Sequence, residues 1–113
     1  MDTQNKNDID QLLANSLKQL ASKKLLEKIT IKEITDLAGV IRPTFYNHFQ
    51  DKFELLEWII NKDLLEPIQP LIRNDMFMEA MVLLFTNIER ERAFYFHVVK
   101  LEGPVTFHSI ARK

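Results

Sequence analysis

Residues 30–52 read TIKEITDLAGVIRPTFYNHFQDK, and the order of caps and apolar residues in this stretch decides the fold. Thr30 has Glu33 three places on, the arrangement in which two side chains reciprocally satisfy orphan N–H groups at a helix start. Ile31, Ile34, Leu37 and Ala38 supply an apolar face, and Gly39 stands where a left-handed residue ends a helix. A helix so brief does not hold itself together in water and must be packed between neighbours. Pro43 marks the next start, since proline suits a first turn whose N–H groups have no intrahelical partner. Phe45 and Phe49, four apart, form the buried ridge of that helix. Asp51 and Glu54 repeat the cap-and-partner pattern for another helix. Two short helices joined by a tight turn containing Gly39 make a helix-turn-helix.

Outward from this segment the pattern stays helical. Ile9, Leu12, Leu13, Leu17 and Leu20 recur at three- and four-residue spacing and predict a first helix from Asp8 to about Lys24, preceded by a polar, flexible arm over residues 1–7. Leu55, Leu56, Ile59, Ile60 and Leu64 carry the fourth helix until Pro67 and Pro70, which are expected to stop it. After a turn at Asn74 and Asp75, helices are predicted over Phe77 to Ile88 and Ala93 to Leu101, the latter ended by Gly103 and Pro104. Nothing alternates with period two for long enough to propose a sheet, so the fold class is all-α.

Composition removes most other classes. The chain has 113 residues, enough for one domain or a small domain with an appendage. It lacks Cys, which excludes disulfides, thiol nucleophiles and Cys-based zinc sites. Two glycines are too few for a phosphate-cradling loop. No apolar run is long enough for a membrane span, and Met1 to Asp10 has no apolar signal core, so a cytoplasmic setting is expected. His97 and His108 lie eleven apart with no third ligand in register, and Ser16, Ser22 and Ser109 carry no nucleophile signature. Neither an enzyme, a metal site nor a cofactor is therefore expected. The net charge is −1, yet residues 18–52 carry +3 within an otherwise acidic or neutral chain, which suits a surface meeting a polyanion.

In a helix-turn-helix the second helix enters the major groove of DNA and its N-terminal residues meet base edges. With the two phenylalanines inward, Arg42, Pro43, Tyr46 and Asn47 remain on the outer surface, flanked by Thr44 and His48. Arg42 offers two parallel donors to guanine O6 and N7, and the Pro43 ring suits a thymine methyl. Thr44, Tyr46 and His48 can donate to phosphates, and Lys52 lies in the next helix's first turn, where a phosphate also meets the positive dipole end.

The run from Ile31 to Lys52, with Ala38-Gly39-Val40, then Thr44-Phe45-Tyr46 followed by His48-Phe49, then Asp51-Lys52, resembles the DNA-binding domain of the TetR family of bacterial transcriptional regulators. The resemblance covers roughly residues 8–66. It implies a homodimer that binds a pseudo-palindromic operator on double-stranded DNA and responds to a small-molecule effector. It adds Lys32 to the contact set and places Asn47 at a variable, site-tuning position. Ile41 departs from the family's usual Ser or Thr, which removes a helix cap worth about 1 kcal/mol. The segment from Glu89 to Phe107, with Phe94-Tyr95-Phe96 and Leu101-Glu102-Gly103, is similar to a branch containing regulators related to dihydroxyacetone kinase activation.

The resemblance implies more helices than this chain holds. Its organisation is read as a helix-turn-helix DNA-binding domain over 8–50, then a linking helix and a truncated helical effector or dimerisation region over 51–113. Met81, Phe85 and Phe94 are candidates to line an effector pocket, although such a stripe at helical spacing also suits core or subunit contact. The competing functional reading is a protein-interaction module derived from such a regulator, without independent DNA binding. Ile41 and the missing helices favour it, and the intact Arg42-to-His48 run opposes it.

Overall fold

Each cap read from the sequence forms. In the computed structural model, which describes residues 2–99, helix α2 spans Ile31–Ala38. Thr30 accepts from the Glu33 N–H at 3.1 Å while its own N–H donates to the Glu33 carboxylate at 2.9 Å. Gly39 closes the helix at φ 77°, a conformation that a Cβ would strain. Helix α3 spans Arg42–His48 with Pro43 in its first turn, and Ile41 offers no side-chain cap. Helix α4, Lys52–Ile60, starts at Asp51, whose carboxylate accepts from the Glu54 N–H at 2.9 Å.

Helix α1 runs Asp2–Ala21 and lays Leu13, Ala14, Leu17 and Ala21 against the other three, all fully buried. It begins earlier and ends earlier than the apolar spacing predicts. Residues 2–7 join the helix instead of forming an arm, because once a helix is nucleated each added residue gains a backbone bond. At the other end the chain leaves α1 for a short 3-10 turn, Leu26–Lys28, which drives Leu26 fully into the core. Phe45, Ile34, Leu55, Leu56 and Ile59 complete this interior, and the buried Ser16 hydroxyl donates to the Ile34 carbonyl at 2.7 Å, tying α1 to α2. Burying each such leucine or phenylalanine contributes about 1.5–3 kcal/mol.

The expected stop at Pro67 and Pro70 does not occur. Residues Asn61–Leu65 continue α4 as a π-helical turn that leads into α5, Glu66–Arg73, with Pro67 near its start and Pro70 inside it. A proline leaves the carbonyl four residues back without a donor. For Pro67 that carbonyl belongs to Asp63, and the Asn87 side-chain amide donates to it at 3.3 Å. The Glu66 N–H bonds to the Asn61 carbonyl in the wider π register. After Asn74 and Asp75, where Asp75 sits at φ 59°, come α6, Phe77–Arg90, and α7, Arg92–Val99. Helix α7 packs on α1 through Phe94, Tyr95 and Val98. The predicted end of this helix at Leu101, Gly103 and Pro104 lies outside the described residues. All described secondary structure is helical, as the sequence pattern implied.

A candidate nucleic-acid interface on helix α3

Helix α3 has two unlike sides. Phe45 and Phe49 are buried and stack on one another with ring centroids 6.0 Å apart, and Trp58 of α4 meets Phe49 edge-on at 6.3 Å. Arg42, Pro43, Tyr46 and Asn47 are exposed. Among the described residues Arg42 makes no hydrogen bond or ion pair, so its guanidinium fork is free to engage an external acceptor. Tyr46 rests edge-on against Phe45 with its centroid 5.5 Å away, which braces the phenol while leaving half of it exposed. Thr44 is half-buried, and its backbone N–H donates to the Ile41 carbonyl at 3.0 Å. Ile41, just ahead of the helix, is 68% exposed, a large apolar side chain left beside the polar set.

The remaining predicted contact residues are engaged within the chain. Lys32, exposed on α2, pairs with Asp36 at 2.8 Å, a surface ion pair worth about 0–1 kcal/mol and readily exchanged for a phosphate. His48 turns to α1, where its Nδ1 lies 2.7 Å from the buried Asp10 carboxylate. Lys52 donates from Nζ to the Ile29 carbonyl at 2.7 Å and the Glu27 carbonyl at 3.2 Å. Burial lowers the Lys52 ammonium below the ordinary lysine range, with Glu27 and Glu33 opposing that effect and Lys24 adding to it. Contacts of this kind clamp the 3-10 turn to α4. Lys52→Ala is therefore expected to lower stability by about 1 kcal/mol, since bonds to a charged donor are worth more than neutral ones but are here partly solvated. A urea titration checks it: an unchanged midpoint would show that the clamp contributes nothing.

The cap of α2 carries a pH signature. The hydrogen bond from Lys24 and then the Thr30 backbone N–H hold the Glu33 carboxyl down at about 2. Its ordinary value is 4.5, so the stabilisation is present above that pH and is lost as pH falls toward 2. Glu33→Gln is expected to show a shallower acid-induced loss of the urea midpoint than the unmodified chain. Parallel acid profiles would contradict this.

Sequence reasoning missed Asp10 and a second cluster. Lys18 of α1 bridges Asp63, with which it forms a close ion pair, and Glu91 at 3.0 Å. Burial pulls the Lys18 ammonium down, but hydrogen bonds to Asp63 and Glu91 outweigh it and hold the ammonium above the lysine range. Close by in charge terms, the Tyr95 hydroxyl is buried without a hydrogen-bond partner among the described residues, and burial, then Asp63 and Glu91, push that phenol up. No local spacing announces these partners, because Lys18 lies on α1, Asp63 in the turn after α4 and Glu91 at the break between α6 and α7.

The expected effector pocket is not assembled from the three residues proposed for it. Met81 and Phe85 share an exposed apolar face of α6 with Met78 and Val82, an open groove of about 790 Å³. Phe94 is instead buried in the core, packed on Tyr95 at 4.9 Å, because α7 turns that side toward α1. His97 donates from Nδ1 to the Ala93 carbonyl, and His108 lies outside the described residues. Among the described residues no group of three or more His, Asp or Glu could hold a metal, and no helix is long and apolar enough to cross a membrane.

Residues 17–59 match the profile of bacterial regulatory proteins of the tetR family. The chain is also 29% identical over 85 residues to the HTH-type dhaKLM operon transcriptional activator DhaS of Lactococcus lactis subsp. lactis (strain IL1403). That likeness covers 75% of this chain but 46% of the relative, so the chain spans about half of that protein's length. The matched profile runs from the last five residues of α1 to the last turn of α4 and contains the capped helices and the exposed face of α3. The helix-turn-helix segment of this chain is thus similar to that of bacterial regulatory proteins of the tetR family.

Proposed function

We propose that the chain is a DNA-binding transcriptional regulator that reads a pseudo-palindromic operator by laying α3 in the major groove. The observation that carries this reading is the exposed Arg42, without a hydrogen-bond or ion-pair partner among the described residues, at the N-terminal end of a helix locked from behind by Phe45 and Phe49. Arg42 reads guanine, and Pro43 and Asn47 meet neighbouring base edges. Thr44, Tyr46, Lys32 and His48 anchor to phosphates, whereas Lys52 supports the frame rather than the DNA.

A seven-residue helix contacts too few base pairs to discriminate among sites, so we assign the working unit as a homodimer whose two α3 helices lie roughly 34–36 Å apart. The exposed Met78, Met81, Val82 and Phe85 face of α6 fits subunit contact. The similarity to an operon activator fits a role in transcription, with a small-molecule effector as the input and the cytoplasm as its place.

Fluorescence anisotropy with a mixed-sequence duplex at low and moderate salt tests the reading. Micromolar binding that collapses with a log–log salt slope of about −0.9 per phosphate contacted is expected. Absence of binding at low salt would instead support the protein-interaction reading.

A further inference from the structure

We propose that duplex binding by this chain takes up a proton at His48, with Asp10 as the positioning residue that makes it so. The inference deepens the reading above and rests on it. Asp10 is 4% exposed, and the partner of its carboxylate is His48 Nδ1 at 2.7 Å. An ionised carboxylate only accepts, so Nδ1 must be the nitrogen that carries hydrogen in either charge state of the ring. In the neutral ring the second nitrogen, Nε2, then holds a lone pair, which faces a phosphate oxygen as acceptor against acceptor. Only the imidazolium has an N–H at Nε2 to give. A proton from solvent added there completes a chain from carboxylate through imidazolium to phosphate, and no other bond is made or broken.

The geometry leaves room for this. His48 closes α3, and with Asp10 and Lys6 of α1, Phe49, and Glu54 and Glu57 of α4 it borders a groove of about 620 Å³ open to solvent. Those four charged side chains are the ones that line the groove with the ring, from each helix that contributes to it.

The test uses the full chain and a mixed-sequence duplex at constant ionic strength, with anisotropy read between about pH 5 and 8. Affinity is expected to weaken toward a limit of about tenfold per pH unit per bound chain above the ring's titration, one proton being linked. His48→Gln removes the slope, Asp10→Asn makes it shallower, and Glu57→Gln keeps it. Far-UV circular dichroism confirms that each variant is folded. Nitrogen-resolved NMR of the free protein should show the neutral His48 ring protonated on Nδ1. A flat pH profile with duplex affinity intact, an unchanged slope in His48→Gln, loss of slope in Glu57→Gln, or a neutral ring protonated on Nε2 would each overturn the proposal. Failure to bind duplex at any pH would instead overturn the functional reading, and the proposal with it.

Discussion

Phe45→Ala is expected to cost about 3–5 kcal/mol of folding stability, the range for truncating a fully buried phenylalanine. The ring is wholly inaccessible and touches Tyr46 on one side and Phe49 on the other. Helix α3 is only seven residues long and lacks a side-chain cap at Ile41, so it has little intrinsic stability to offset the loss. Domains of this kind hold about 5–15 kcal/mol in total, so the variant should sit near the edge of unfolding at ambient temperature. A urea titration followed by circular dichroism reads the change directly. Phe45→Leu, which keeps most of the buried volume, should retain a clear unfolding transition. A small cost for the alanine variant would mean that α3 is held by its flanks rather than by this ring.

Arg42→Ala should do the opposite: leave the urea midpoint where it was and weaken DNA binding. The guanidinium makes no hydrogen bond or ion pair among the described residues, so removing it breaks none in the folded chain. On a duplex selected from a random pool the loss should be about 1–3 kcal/mol, roughly 5- to 150-fold in affinity, with one position of the selected site relaxed. Binding to unselected DNA should fall much less, because that term comes from phosphates. Equal losses on selected and random duplexes would remove Arg42 from base reading and make it a backbone contact.

The contrast between these two side chains mirrors what could be read before any coordinates. The helix-turn-helix was legible because its signals are local. Thr30 finds Glu33, Asp51 finds Glu54, and Gly39 needs only its own φ. The fate of Pro67 was not legible, since the donor that rescues the Asp63 carbonyl is Asn87, 24 residues away on another helix. The dipole argument that makes Lys52 a phosphate anchor is local, whereas its acceptors within the chain lie 23 and 25 residues back. The Asp10–His48 pair spans 38 residues and has no periodic signature at all. Met81, Phe85 and Phe94 illustrate the same boundary: helical spacing tells which side chains share a helix face, and the packing of α7 on α1 decides which of them sees water.

The wide turn at Asn61–Leu65 has a mechanical meaning. Each residue added to or removed from a helix rotates everything beyond it by about 100°. The five residues of that turn thus act as a phase adjuster in an otherwise continuous rod from Lys52 to Arg73, setting the azimuth at which the distal helices leave the helix-turn-helix. Deleting one residue there would restore ordinary winding and keep the distal helices near their present azimuth, because a π turn takes up one residue more than an α turn.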